Sequence, residues 1–209
     1  MTQRPRFSRL ALPAALLLAA LALAGTAPAA AAEAWTLDPA HTKVSFAVDH
    51  FFTPVEGSFE EFDVTLAYDP ENPSASKVTA KIPVGSVDTA NTKRDDHLRS
   101  ADWFEVAEHP YMTFESSSVR AVGEGRLVAL GTLTIKGISR QVTLPIEILG
   151  VREIPEEMQP MIGAKKVASF RATASLDRND YEVGVGDWAG TMVVGDSVDI
   201  EILAEAHAR

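Results

Sequence analysis

Three proton-active side chains, Asp95, Asp96 and His97, stand in a row within residues 87–114, the only densely charged, helix-like stretch of the chain. Acid–base chemistry needs such groups to meet at one point. Neighbours on a helix point about 100° apart, so these three diverge, and capping and surface pairing account for them better. Thr92-Lys93-Arg94-Asp95 has the form of a helix start, with Asp95 and Asp96 in the first turn, where the helix dipole favours anions. Arg99 follows Asp95 by four residues and is placed to pair with it. Ser100 reads as a second cap ahead of Trp103 and Phe104, and His109-Pro110 returns the chain to an extended form.

Other chemical candidates are few. His41, His50, His97, His109 and His207 could ligate a metal, but none has an i, i+4 or short-loop spacing, so no metal site is expected. The serines lack a G-x-S-x-G nucleophile elbow. No catalytic residue is assigned. The chain has no cysteine, which excludes disulfides, thiolate metal sites and a lipidated N-terminal cysteine.

The first 32 residues read as a secretory signal peptide. Arg4, Arg6 and Arg9 precede an apolar Leu/Ala run over 10–24, and Ala30-Ala31-Ala32 offers a small-residue cleavage site. Cleavage after Ala34 is an alternative. A retained anchor is the competing reading, disfavoured by the shortness of the run. Export to the periplasm is therefore expected, with residues 33–209 as one domain. The signal holds three of the 19 basic residues and none of the 29 acidic ones, leaving a formal charge of −13 on the remainder. Such a balance argues against nucleic acid and against anionic lipid surfaces as charge-driven partners.

The elements that would position these groups are almost all strands. Period-two alternation marks 42–50, 77–84, 111–119, 126–136, 140–149, 166–177 and 197–207, and 57–68 alternates with a phase slip at Glu60-Glu61 that suggests a bulge. Residues 35–38 form a short edge-like strand, 152–163 a loop, and 178–196 a long excursion anchored by Tyr181 and Trp188. About eight amphipathic strands joined by short turns predict an all-β antiparallel barrel or sandwich with one short helical insertion. Closure into a barrel would remove the edges.

The inward positions are small as well as apolar: Ala80, Ala129, Gly131, Ala168, Ala172, Ala174 and Ala204 interrupt the Val, Ile, Leu and Phe. Small inward side chains can leave an elongated apolar lumen; they can also simply fit barrel taper. A lumen without fixed charge suits a linear apolar chain, with about 0.8 kcal/mol gained per buried methylene. The candidate binding set in the wall and mouth is Phe46, Val48, His50, Phe62, Val64, Ile82, Asp88, Arg94, His97, Leu98, Trp103, Phe104, Met112, Phe114, Leu144, Ile146, Phe170 and Ala172. Arg94, one turn from Leu98, could meet a phosphate or quinone oxygen at the mouth; a pair with Asp88 or Asp95 is an equal alternative. Trp103, Phe104, Phe51 and Phe52 are either core or gate.

The whole chain after the signal resembles the YceI family. The matching residues are Trp35-x-x-Asp38-x-x-His41, Phe46-x-Val48-x-His50, Gly57-x-Phe59-x-x-Phe62, Val87-Asp88-Thr89 and Arg94-Asp95-x-His97-Leu98-Arg99-Ser100-x-Asp102-x-Phe104. His109-Pro110-x-x-x-Phe114, Gly131-x-Leu133-Thr134-Ile135-x-Gly137, Asp177-Arg178-x-Asp180-Tyr181 and Val194-Gly195-Asp196-x-Val198 follow in order. Thr42 and Asp177 depart from the usual Ser and Asn. The resemblance implies a lipocalin-like antiparallel barrel that holds a polyisoprenoid or isoprenoid quinone, with no required cofactor and no established catalytic residues. The expected function is a periplasmic carrier, whose mature chain has no membrane span. The alternatives are a hydrolase or isomerase of such lipids using His50 or His97, and a stress-response partner making transient contact with membrane redox proteins. A homodimer is left open.

Overall fold

The computed structural model describes residues 32–190 and 192–209. The expected signal lies outside them, apart from Ala32. Among the described residues, eleven strands follow in chain order: β1 (Glu33–Leu37), β2 (Lys43–His50), β3 (Thr53–Phe59), β4 (Asp63–Tyr68), β5 (Lys77–Pro83), β6 (Val87–Asp88), β7 (Tyr111–Gly123), β8 (Arg126–Ile135), β9 (Ile138–Glu153), β10 (Lys166–Asp177) and β11 (Val194–Ala208). Helix α1 (Thr92–Leu98) lies between β6 and β7, and the single turn α2 (Gln159–Ile162) between β9 and β10. All pairings are antiparallel, in the order β1-β4-β5-β7-β8-β9-β10-β11, and β1 returns to β11 to close an eight-stranded barrel. β2, β3 and β6 continue from β11 as broken extensions of the same staves.

Alternation sets which face turns inward. On β10, Ala168, Phe170 and Ala172 are buried while Arg171, Thr173 and Ser175 are exposed. The β8–β9 hairpin turns at Lys136 and Gly137, with φ of 49° and 73°, the two left-handed residues that a twist-matched two-residue turn requires.

Three expectations change. Residues 57–68 form two strands rather than one bulged strand, because β3 pairs with β2 and β6 while β4 pairs with β1 and β5. The 35–38 segment is no edge: β1 sits between β4 and β11 and closes the barrel. Residues 152–163 are only partly loop, since β9 runs to Glu153 and α2 follows.

Two buried clusters occupy opposite ends of the staves. On β8, Leu127 and Ala129 belong to the cluster around Trp35 and Tyr68, and Ile135 to the one around Trp103 and Tyr181.

Candidate functional site

Between these clusters lies a cavity of about 310 Å³. That is at the small end of the ~300–1,000 Å³ range of ligand pockets and far more than the ~10–15 Å³ one water needs. Its wall draws on every stave, including Phe46 and Val48 of β2, Ile82 of β5, Leu133 of β8, Leu144 and Ile146 of β9, Ala172 and Ala174 of β10, and Ile200 and Ala204 of β11. Phe46, Val48, Val64, Leu144, Ile146, Ala174, Val198 and Ile200 are only half-buried although they point inward. In a filled small barrel such side chains would meet across the axis. Here they face space.

The small residues act in two ways. Ala80, Ala172, Ala174 and Ala204 line the cavity, whereas Ala129 and Ala168 are fully buried in the Trp35 cluster. Gly131 lies beneath Phe114, and Gly57 beneath Phe46.

The helical insertion closes one end. Leu98, Trp103 and Phe104 line the cavity there with Arg178, Tyr181 and Val183. His97 packs edge-on to Trp103 and Trp188, and Trp103 itself contacts Trp188. Arg178 is 4% exposed. Its guanidinium donates to the carbonyls of Gly195, Val183, Gly184, Trp188 and Val194 and to Asp196 Oδ1, at 2.9–3.3 Å. Every donor is committed, so Arg178 pins the 178–195 excursion rather than serving a ligand. Lys77, the other charged residue of the wall, pairs with Glu115 at 3.1 Å. Two phenols stand at the cavity's opposite ends. Burial pushes both above their ordinary value of 10.0, helped by Asp69 beside Tyr68 and by Asp180 beside Tyr181.

Of the expected binding set, Phe46, Val48, Val64, Ile82, Leu98, Trp103, Phe104, Met112, Phe114, Leu144, Ile146, Phe170 and Ala172 line this cavity. Phe62 packs against the cluster around Trp103 instead. Four polar members do not reach the lumen. His50 is exposed at the end of β2 with its ring against Phe51. Asp88 accepts from Ala90 N at 2.7 Å. Arg94 turns to Thr89, donating from Nε to Oγ1 (2.7 Å) and from Nη2 to the carbonyl (2.6 Å). His97 accepts from Trp103 Nε1 at 3.3 Å.

The expected helix start also shifts. The cap is Asn91, accepting from Arg94 N, and Asp95 is buried with Thr89 as its partner. Arg99 pairs with Asp96, three residues back, and donates to the carbonyls of Gly85 and Val87. Phe51 and Phe52 are 53% and 95% exposed, outside the core and the cavity lining. The role of Arg178 was not foreseen; the Gly-rich, Asp-rich stretch after it is the one signal, because such a loop needs its carbonyls satisfied.

A closed antiparallel barrel with an aromatic-capped apolar lumen defines a hollow, ligand-holding class of β-protein. A YceI-like domain model matches residues 35–206, and the chain belongs to that family. The UPF0312 protein of Ectopseudomonas mendocina is 35% identical over 144 residues, 68% of this chain and 72% of the relative. Protein YceI of Escherichia coli O6:H1 is 37% identical over 144 residues, 68% and 71% of the two chains. Among solved structures, Burkholderia cenocepacia BcnA superposes with a TM-score of 0.72 at 27% identity, covering 81% of this chain and 99% of that one. A polyisoprenoid binding domain from Saccharophagus degradans shares the fold with a TM-score of 0.60 at 15% identity, covering 85% and 99%. Among the described residues, no helix is long and apolar enough to cross a membrane.

Proposed function

We propose that this barrel is a binding protein and carrier for one long-chain amphiphile, a polyisoprenoid or an isoprenoid quinone, held in the lumen. The carrying observation is the ring of half-buried apolar side chains around a 310 Å³ cavity. An empty apolar cavity costs stability, and an apolar guest restores the missing contacts. Family membership and the S. degradans neighbour, described as polyisoprenoid binding, support the same ligand class. A carrier needs no catalytic group, consistent with His50 and His97 lying outside the cavity wall. A periplasmic site of action rests on reading residues 1–32 as an export signal, and delivery to membrane redox proteins would follow from a quinone cargo.

Native mass spectrometry and organic extraction of freshly purified protein test this. One long-chain isoprenoid per chain is expected. Bare protein, both on isolation and after incubation with vesicles doped with an isoprenoid quinone, would overturn it.

A further inference from the structure

The barrel's closing seam is thin where β1 meets β11, and β2 continues it with seven further pairs to β11. β1 and β11 share two residue pairs, Thr36↔His207 and Leu37↔Ala206, against twelve between β10 and β11. At this seam the turn Pro39–His41 crosses β11, and four ligand-bearing side chains gather. Asp38, Glu205 and His207 each offer a ligand atom within 4.8 Å of the others. His41 Nδ1 lies 2.7 Å from Asp38 Oδ2 and 3.8 Å from Glu205 Oε1, and His207 Nε2 lies 3.0 Å from the same Oε1.

We propose that Asp38, His41, Glu205 and His207 form a binding site for a divalent first-row metal of the zinc type, which clips β1 to β11. Four ligands about 2.0–2.1 Å from one ion sit ~3.4 Å from each other in a tetrahedron. The 2.7, 3.0 and 3.8 Å contacts bracket that value, and the exposed His41 would turn inward to join the three residues whose ligand atoms already lie within 4.8 Å of one another. Two carboxylates with two neutral imidazoles carry two negative charges, which a dication neutralises; imidazole with carboxylate suits zinc. The backbone already fixes the frame. Asp38 Oδ1 accepts from Ala40 N at 2.9 Å, leaving Oδ2 toward His41, and Asp38 N donates to Glu205 O at 2.8 Å. Three of the side chains, Asp38, Glu205 and His207, are 19–29% exposed, so an ion can reach them without unfolding. No local spacing signals the site, because the fold brings together residues 38–41 and 205–207 from opposite ends of the barrel domain. Leu37, Thr42 and Ala204 line the lumen behind it, so the clip would stiffen that part of the wall.

Chelator-stripped, untagged protein titrated calorimetrically with Zn²⁺ tests the site independently of any lipid. One Zn²⁺ per chain is expected, with a Tm rise of about 5–10 °C at a hundredfold excess over Kd. The variant His41→Gln/His207→Gln should lose more than the ~100-fold in affinity that outer-shell changes cost. No saturable 1:1 binding, or equal binding by the variant, would overturn the proposal. Should the variant fold poorly, Co²⁺ added to the unaltered protein decides: resonances of Thr36, His41 and His207 should broaden first, and broadening centred on His50, His97 or His109 would contradict the assignment.

Discussion

Phe114 of β7 rests on Gly131 of β8: a Cβ built at Gly131 would fall 2.6 Å from two carbons of its ring and 2.6 Å from the Glu115 carbonyl. The missing side chain lets an aromatic lie along the wall instead of crossing the lumen. Gly131→Ala should cost about 1–3 kcal/mol, because a backbone oxygen cannot yield as a side chain can. Denaturant unfolding measures that loss, and reduced uptake of an apolar dye such as N-phenylnaphthylamine would report the ring pushed inward. Unchanged stability would show that the contact is not restrictive.

Filling the lumen should separate fold from function. Ala174 lines the cavity and is half-buried, so Ala174→Phe adds a ring where there is space. Equal or higher ligand-free stability is expected, as for cavity-filling changes in general, with at least about a tenfold loss of isoprenoid uptake. Extraction from vesicle-loaded protein gives the second quantity. Undiminished uptake would mean that the ligand lies elsewhere.

Arg178 should be irreplaceable even by lysine. Lysine has no fork and cannot serve the carbonyls of Val183, Gly184 and Trp188 together. Arg178→Lys leaves buried acceptors unpaired and should cost more than about 3 kcal/mol. Hydrogen exchange should rise across 183–195 first, read by mass spectrometry on the variant. Exchange confined to other segments would refute the clamp.

Alkaline pH should weaken the fold through Tyr68 and Tyr181. Their folded pKa values lie above the unfolded value of about 10, so the stability from burying neutral phenols is complete below pH 10. It is lost as pH rises through the folded values. Ultraviolet titration should show two of the three tyrosines ionising late, and Tyr68→Phe/Tyr181→Phe should blunt the alkaline loss. An unaltered alkaline profile would contradict the assignment.

Much of the barrel could be read from alternation. Residues 166–177 match β10 end to end, and ten of the thirteen lumen-lining candidates stand on strands, where period two states directly which side chains turn inward; Leu98, Trp103 and Phe104 come from the helical insertion. Alternation is blind to partners. It could not show that β3 and β4 part company at 60–62, or that β1 closes the barrel, since both depend on which distant strand supplies the hydrogen bonds. The polar mouth was misread for a related reason. Along the chain Arg94 is placed for a ligand oxygen or a carboxylate and Asp95 for Arg99, yet both are spent on Thr89, which fastens α1 to β6. The approach of His41 and His207 to the same Glu205 carboxylate across the seam leaves no local trace.

The most direct measurement is a crystal structure of protein purified without solvent or detergent stripping. The lumen bounded by Tyr68 at one end and Trp103 at the other should hold continuous, chain-like density touching Phe46, Leu144 and Ile200. A lumen closed by side chains meeting across the axis would contradict the account.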